Sequence, residues 1–491
     1  MRSLFAIILF HLCLLPLQAQ KKPTAEIERM ITKGEIEGPL TFLSADEMKG
    51  RDTGSPELDI AANYIASRFR EFGLKTLEGA PQYLQPVELL KSGALADGSL
   101  TLIQDKLGYK DDFVVLNGNP LEWSGEIVYI GYGAPEEVPA DIRGKLVVSL
   151  AGSKDSKNVQ EIFMASTQKY DRISAAGAAG LVEYFVTAPF PWPALVNYFS
   201  GATRFEVKKG ESTIPHLWMK DKDVASMKEL KSGKSVSGTL TIKGEKPKLI
   251  PAKNVAGWVE GTDPKLKNEF LVVSAHYDHV GVGAKKGQDS IYNGARDNAL
   301  GTVAMMSAAR YFAKYPAKRS ILFIALTGEE KGLLGSAWYA DHPLVPFKQT
   351  VFNMDCDGAG YNDKTVVTII GLEKTDVHPQ MDKACGAFGL KAALDPVPEQ
   401  SLYERSDNYN FARKGVPAID FAPGIKAFDA ELMQYYHQPA DEVSSLDFDY
   451  LLKFYRSFIY ANFLISNQVN PPFWKVGDKY EPAGKALYGK P

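Results

Sequence analysis

Residues that commonly bind divalent cations recur in the second half of the chain, mostly at the ends of apolar runs. They are His276, Asp297, Glu329, Glu330, Asp355 and His437. Two cations held about 3.5 to 4 Å apart need one carboxylate that bridges them, ligands on each outer side, and a base for a shared water. This set offers one residue for each role, so it predicts a two-metal hydrolytic site.

Neighbouring residues indicate how the roles are divided. Asp278 lies two residues after His276, where its carboxylate could accept the imidazole N–H and fix the ring tautomer. Glu329 and Glu330 are adjacent, so one can coordinate a metal while the other accepts a proton. We therefore include Asp278 and the glutamate doublet among the candidate catalytic residues.

The elements that must position these residues have the pattern of a buried parallel sheet. Residues 270–275, 321–326 and 351–354 are short, nearly continuous apolar runs, as expected for strands covered by helices on both faces. Each run ends at a candidate ligand, and the carboxyl ends of such strands meet at one edge of the sheet. Residues 299–313 have helical apolar spacing, so Asp297 is predicted to lie just ahead of a helix.

Six strings closely resemble peptidase family M28, a family of zinc metallopeptidases, in the order in which that family has them. They are SAHYDHVG at 274, YNGARDNALGT at 292, ILFIALTGEEKGLLGS at 321, FNMD at 352, RSDNYNFARKGVPA at 405 and YHQPADE at 436. The resemblance implies an α/β fold with a mixed, mostly parallel sheet flanked by helices, the zinc exopeptidase fold. It also implies two zinc ions per chain and peptide or protein substrates.

Carried over residue by residue, the resemblance assigns a role to each candidate. The implied ligands are His276 and Asp355 for one zinc, Glu330 and His437 for the other, and Asp297 as the bridge. Glu329 is implied to be the general base. His279 and Asp357 are close to these positions, but the resemblance does not place them among the ligands, and for His279 it favours a structural or supporting role.

The chain departs from the family pattern at two positions. Arg296 stands where relatives often have an acidic residue, and Asn408 stands where many have histidine. Neither is an expected ligand, so the departures bear on substrate preference. Arg405 and Tyr409 lie in a segment that resembles the family's substrate-side loop, which makes them candidates for substrate binding, with a structural role as the alternative.

The amino terminus resembles an export signal. Arg2 precedes an apolar stretch over residues 4–17, and Ala19 follows as a small residue suited to cleavage, so residues 1–19 are predicted to be a signal peptide. The apolar stretch is shorter than the roughly 20 residues that a membrane span needs. We expect a periplasmic or extracellular protein, with an uncleaved anchor as the minority alternative. The net charge of -3 gives no basic footprint for nucleic acid.

The 491 residues suggest more than one domain. LSADEMKGRDTGS at 43 resembles the opening of the same peptidase family, and a helix is predicted over residues 59–74. From about residue 99 the pattern changes to alternating strands and glycine-rich turns, and GEIVYIGYG, DIRGKLVVSL, ISAAGAAGLVEY and IPHLWM resemble a protease-associated domain. We therefore predict a catalytic domain over residues 25–98 and 250–491, interrupted by a β-rich insertion over 99–244. Aromatic residues at 188–199 could line an apolar substrate entrance or pack in a core.

The favoured function is an exported two-zinc aminopeptidase. A carboxypeptidase or dipeptidase of the same family remains open, because sequence does not fix the direction of cleavage. A glutaminyl cyclase-like acyltransferase is less favoured because such enzymes use one zinc. A binding protein on an inactive scaffold would have lost ligands, whereas all the expected positions are filled here. Side-chain preference and oligomeric state stay open.

Overall fold

The structure is a computed structural model that describes residues 23–93, 95–157, 159–185, 191–200, 203–208, 214–220, 225–232 and 236–490. The predicted signal peptide, residues 1–19, lies outside the described residues. Within the described part of the chain, no helix is long and apolar enough to cross a membrane.

The described strands, in chain order, fall into two large sheets and a hairpin. They are β1 (Leu84–Ser92), β2 (Asp97–Leu102), β3 (Asp105–Gly108), β4 (Phe113–Asn117), β5 (Leu121–Tyr129), β6 (Leu146–Leu150), β7 (Gly180–Phe185), β8 (Arg204–Val207), β9 (His216–Lys220), β10 (Val236–Lys243), β11 (Lys248–Val259), β12 (Phe270–His276), β13 (Gly281–Lys286), β14 (Asp289–Tyr292), β15 (Ser320–Leu326), β16 (Thr350–Asp355), β17 (Val366–Ile370), β18 (Lys391–Ala393) and β19 (Ala418–Pro423). The hairpin consists of β13 and β14.

Helices are distributed over the whole described chain. They are α1 (Pro23–Met30), α2 (Lys33–Leu43), α3 (Pro56–Phe72), α4 (Val159–Ala175), α5 (Trp192–Ser200), α6 (Ala225–Lys231), α7 (Leu300–Lys314), α8 (Leu334–Asp341), α9 (His378–Gly386), α10 (Asn408–Arg413), α11 (Ala430–Met433), α12 (Phe448–Asn467) and α13 (Glu481–Tyr488). The helix predicted over residues 59–74 is α3, which begins three residues earlier. Ser55 caps α3 by accepting the Leu58 N–H at 3.1 Å, and Gly73 ends it in a left-handed conformation.

The first sheet has nine strands in the order β18-β17-β19-β16-β12-β15-β11-β1-β8. Its centre is parallel, because β12 pairs in parallel with both β15 and β16, and β16 pairs in parallel with β19. Antiparallel strands surround that centre. The three predicted apolar runs are β12, β15 and β16, and their residues are almost entirely buried. The predicted α/β class with a mixed sheet flanked by helices is therefore confirmed.

Helices α3, α7 and α12 cover one face of this sheet, and their apolar residues form the largest core cluster with those of the central strands. Helix α7 is buried along most of its length, since it packs between the sheet and α12. Both described cysteines, Cys356 and Cys385, are buried and unpaired.

The second sheet has eight strands in the order β3-β2-β10-β5-β6-β7-β9-β4. It extends from Asp97 to Lys243 and has its own apolar core. Strand β8 lies between these strands in sequence but pairs with β1 at the edge of the first sheet. The domain boundaries predicted above stay a prediction.

Part of the aromatic stretch at 188–199, including Phe190, lies outside the described residues. Phe199 packs edge-on against the buried Trp218, whereas Tyr198 is exposed. Trp192 donates its indole N–H to the Lys110 carbonyl at 2.9 Å. These contacts favour core packing for Trp192 and Phe199.

Candidate metal centre

The carboxyl ends of the central strands bring most of the predicted site residues together. His276 is the last residue of β12, and Glu329 and Glu330 open a short turn that follows β15. Gly328 makes that turn possible with a positive φ of 69°. Asp297 lies just before α7, as predicted.

One group of possible metal ligands surrounds His276. Its Nε2 lies 3.3 Å from Asp297 Oδ1 and 3.0 Å from Asp357 Oδ1. The ligand atoms of these three residues are all within 4.8 Å of one another. Nearby, Glu329 Oε2 is 3.9 Å from the same imidazole nitrogen.

A second group surrounds Glu330. His437 Nε2 is 3.2 Å from Glu330 Oε2 and 3.2 Å from Asp297 Oδ2. His279 Nδ1 lies 2.8 Å from Glu330 Oε1. The four residues also have ligand atoms within 4.8 Å of one another. Asp297 thus contributes Oδ1 to the first group and Oδ2 to the second, which is the arrangement that a bridging carboxylate requires.

Asp355 differs from the sequence-based expectation, because it is not in either group. Its Oδ1 accepts a hydrogen bond from Ser274 Oγ at 2.6 Å, and its Oδ2 is buried without a hydrogen-bond partner. The strand pairing is consistent with this. Ser274 is opposite Asp355 at the end of the paired part of β12 and β16, and His276 and Asp357, which are in contact, each lie two residues further on. Burial, and then the charge of Asp357, raise the pKa of Asp355 to about 7.

Asp357 is held firmly at this edge. Its Oδ2 accepts a hydrogen bond from Ser406 Oγ at 2.6 Å, and its backbone N–H donates to Asp420 Oδ1 at 2.9 Å. Asp420 is itself buried. The sequence contained a signal for Asp357, a second aspartate two positions after Asp355, but only the register shows which of the two lies level with His276.

Asp278 also differs in detail from the expected contact. The atom that lies 3.2 Å from His276 Nδ1 is the backbone carbonyl oxygen of Asp278, whereas its carboxylate is 3.8 Å away. The carboxylate is engaged elsewhere, since Oδ2 accepts from Thr53 Oγ1 at 2.8 Å and Oδ1 accepts from the Glu329 backbone N–H at 3.1 Å. Asp278 therefore connects the end of β12 to the turn that carries Glu329.

The pKa values of the two glutamates are shifted in opposite directions. Burial, together with the charges of Asp357 and Glu330, raises the pKa of Glu329 well above its ordinary value. Burial and Asp297 would raise the pKa of Glu330 as well, but contacts with His279 and His437 lower it to about 2. Burial opposes ionisation of Asp297 too, yet His276 and His437 hold its pKa well below the usual range. Glu330 and Asp297 therefore remain ionised, as metal ligands must be.

The residues present fit divalent cations. Glu330 Oε1 and both ring nitrogens of His279 are buried without a hydrogen-bond partner. Buried polar atoms are normally paired. Glu330 Oε1 and His279 Nδ1, which face each other 2.8 Å apart without hydrogen-bond geometry, are therefore suited to hold a cation. Mixed imidazole and carboxylate ligands suit zinc.

Arg51 is a supporting residue that the sequence did not reveal, although it lies in the string that resembles the family's opening. Its fully buried guanidinium donates to the carbonyls of Leu43, Tyr277, Asn293 and Gly294. These contacts fix the segments that flank His276 and Asp297. Burial is the main reason that the pKa of Arg51 falls to about 10.

Neither departure from the family pattern contacts the two ligand groups directly. Arg296 lies between the rings of Tyr361 and Tyr435 and donates to the Ser445 carbonyl at 2.6 Å. Asn408 donates to the Tyr403 carbonyl at 3.1 Å. Both residues therefore hold loops together.

The two candidate substrate residues have different surroundings. Arg405 Nη2 donates to the hydroxyl of Tyr436 at 3.1 Å, and the Tyr436 ring stacks on His437 at 4.1 Å between centroids. Arg405 is thus connected to His437 of the second ligand group through the side chain of Tyr436. Tyr409 packs in an apolar cluster, below the guanidinium of Arg413.

Comparison with known proteins places this site in a family. Residues 254–461 match the profile of peptidase family M28. Aminopeptidase YwaD of Bacillus subtilis (strain 168) is 28% identical over 183 residues, which are 36% of this chain and 37% of that protein. The vacuolar membrane protease of Saccharomyces cerevisiae (strain ATCC 204508 / S288c) is 32% identical over 109 residues, which are 22% of this chain and 10% of that protein.

The similarity in fold covers more of the chain than the similarity in sequence does. The aminopeptidase from Aneurinibacillus sp. strain AM-1 superposes with a TM-score of 0.53 at 20% identity, over 91% of this chain and 97% of that one. The sequence matches to the curated relatives above span well under two thirds of those proteins' lengths. Residues 254–461 therefore form a peptidase family M28 domain.

Proposed function

We propose that this protein is a two-zinc aminopeptidase that releases residues from the free amino termini of peptides. The observation that carries the proposal is Asp297, whose two oxygens face two separate groups of ligands. A carboxylate shared in this way is the central requirement of a two-metal hydrolytic site.

The ligand set that the geometry supports differs in one residue from the family pattern. His276, Asp297 and Asp357 would hold one zinc, and Asp297, Glu330 and His437 would hold the other. Asp355 would lie behind this set, with its carboxyl bonded to Ser274. When bound, the two ions lower the pKa of a water and polarise a carbonyl group.

Glu329 would act as the general base. It lies next to the first ligand group, 3.9 Å from His276 Nε2, and is a member of neither group. Burial raises its pKa, which suits a carboxylate that takes a proton from water near neutral pH and returns it to the leaving amine. The hydrogen bond from its backbone N–H to Asp278 fixes the turn that carries it.

The aminopeptidase assignment rests on two supports. The site has more carboxylates than two zinc ions need, so an acidic group is available for the substrate's ammonium, and several relatives are named aminopeptidases. Binding that ammonium would orient the scissile carbonyl, so losing it should reduce the reaction itself.

Paired peptides test the direction of cleavage. Acetylating the amino terminus of a good peptide substrate should nearly abolish cleavage, whereas amidating its carboxyl terminus should have little effect. Cleavage of the acetylated peptide at the full rate would contradict the aminopeptidase assignment. Resistance of the amidated peptide would favour the carboxypeptidase or dipeptidase alternative.

We also propose that the protein is exported to the periplasm or the extracellular space. The support is Arg2, the apolar residues 4–17 and the small residue Ala19. Amino-terminal sequencing of protein recovered outside the cytoplasm should begin near Gln20. An intact Met1 on soluble cytoplasmic protein would contradict export.

A further inference from the structure

His279 lies beside the second ligand group in a fixed position. It is fully buried, and its backbone N–H donates to the Arg51 carbonyl at 3.1 Å. Gly294 lies against the imidazole so closely that an added Cβ would be 2.6 Å from the ring. The ring therefore has little freedom to turn away from Glu330.

The contact between His279 and Glu330 is close, but it is not a hydrogen bond. Nδ1 and Oε1 are 2.8 Å apart, yet both atoms lack a partner with hydrogen-bond geometry, and so does Nε2. An unpaired polar atom in a protein interior costs roughly 1 to 3 kcal/mol. Nδ1 and Oε1 face each other in this contact, and a cation can accept a lone pair from each of them.

The neighbours of this contact have the right chemistry for that cation. His279 is within 4.8 Å, atom to atom, of ligand atoms from Asp297, Glu330 and His437. Imidazole nitrogens and carboxylate oxygens both bind zinc, and four such ligands complete a tetrahedral site.

We propose that His279 is a fourth protein ligand of the zinc held by Asp297, Glu330 and His437. The inference rests on the two-zinc function proposed above. It implies that the two zinc ions have different numbers of protein ligands. One zinc would have four protein ligands, as in closed sites, whereas the zinc at His276, Asp297 and Asp357 would have three and keep an open position.

The position of Glu329 agrees with this difference in the number of ligands. The carboxylate lies 3.9 Å from His276 Nε2, on the side with three ligands, and has no contact of this kind with His279 or His437 among the described residues. The base therefore lies next to the half of the site that is left open for water and substrate.

Zinc X-ray absorption on the full-length, zinc-loaded protein tests the proposal without relying on activity. The wild type should contain three imidazoles for every two zinc ions, from His276, His279 and His437. His279→Gln should contain two. Competition with a chelator should show that this variant loses more than about 100-fold in affinity for one zinc, beyond the range for residues that only support a ligand. His378→Gln, the same change at an exposed histidine, should leave affinity and imidazole count unchanged.

The outcomes separate this proposal from the function on which it rests. A wild type with two zinc ions and only two imidazoles, or a His279→Gln variant that keeps its affinity within about 100-fold, would overturn the role of His279 alone. A wild type that binds no zinc would overturn both proposals. If the variant does not fold, the imidazole count of the wild type decides.

Discussion

Two buried clusters of charged residues, one in each large sheet, balance the charges of their carboxylates in different ways. The metal-edge cluster of the first sheet consists of His276, His279, Asp297, Glu329, Glu330, Asp355, Asp357 and His437. The second-sheet cluster consists of Lys169, Glu183, His216 and Trp218. Five carboxylates and three imidazoles meet in the first, whereas the second combines one carboxylate with one ammonium group and one imidazole.

The second-sheet cluster supplies its own counter-charge. Lys169 Nζ is 2.6 Å from Glu183 Oε1, and the Trp218 indole donates to Glu183 Oε2 at 2.9 Å. Burial would raise the pKa of Glu183, but His216 and Lys169 lower it to about 2. The metal-edge cluster has no lysine or arginine among its members. Both clusters contain buried atoms without a hydrogen-bond partner, among them Glu330 Oε1 in the first and Glu183 Oε1 in the second. The difference teaches that the first cluster, which has no ammonium or guanidinium group, is suited to receive cations, whereas Lys169 supplies the cation of the second.

Replacing the base should produce the largest effect in the metal-edge cluster. Glu329→Gln keeps the size of the side chain but cannot accept a proton, so kcat should fall by roughly 10² to 10⁴. Zinc content should stay nearly unchanged, because Glu329 is outside both ligand groups. Metal analysis and steady-state kinetics on the same preparation measure both quantities.

Glu330→Gln is the matched control, since it makes the same change one residue later. It should weaken the binding of one zinc because Glu330 is a member of the second ligand group. Equal loss of zinc in the two variants would show that the roles of the glutamates are wrongly divided.

Removing the ammonium group from the second-sheet cluster should destabilise the protein without affecting zinc binding. Lys169→Met leaves Glu183 buried without its counter-charge, which should cost about 3 to 5 kcal/mol in the free energy of unfolding. Denaturant unfolding measures this loss. Lys414→Met removes an exposed pair with Asp341 and should cost less than about 1 kcal/mol. Loss of zinc from Lys169→Met would contradict the independence of the two clusters.

The two aspartates of the first ligand group should be separable by metal affinity. Asp357→Asn should lower the affinity for one zinc by about 100-fold or more, because Asp357 is level with His276. Asp355→Asn keeps a partner for Ser274 and should lower it far less. Competition with a zinc chelator measures both variants. A larger loss in Asp355→Asn would restore the family pattern and contradict the register argument.

The smallest effect is expected at the hydrogen bonds that surround the metal-edge cluster. Tyr436→Phe keeps the ring that stacks on His437 but removes the hydroxyl that accepts from Arg405. One hydrogen bond contributes about 0.5 to 1.5 kcal/mol, so kcat/KM should fall by roughly 2- to 10-fold. A fall beyond 100-fold would mean that the hydroxyl contacts the substrate.

The sequence was sufficient for the elements that carry strong periodic patterns. Strands β12, β15 and β16 and helix α7 were predicted because their apolar runs are long enough to identify and are covered on both sides. The end of each strand then indicated where His276 and the glutamate doublet would lie. Motif resemblance added Asp297 and His437, which lie outside the strands.

What the sequence could not supply is the alignment of one strand with another. Asp355 and Asp357 are both plausible ligands in the string MDCD, and the choice depends on the pairing of Ser274 with Asp355. The contact of His279 with Glu330 depends equally on tertiary structure, since 51 residues separate them. Arg51 went unrecognised because its partners are backbone carbonyls, which leave no trace in a sequence pattern.

The most direct test of the contrast between the clusters is an anomalous difference map, at the zinc absorption edge, from crystals of the zinc-loaded protein. The account predicts two peaks on either side of Asp297, one among His276, Asp297 and Asp357, and the other among His279, Asp297, Glu330 and His437. No peak is expected at Lys169 or Glu183. A single peak at Asp297, or a first peak bound by Asp355 and not by Asp357, would contradict it.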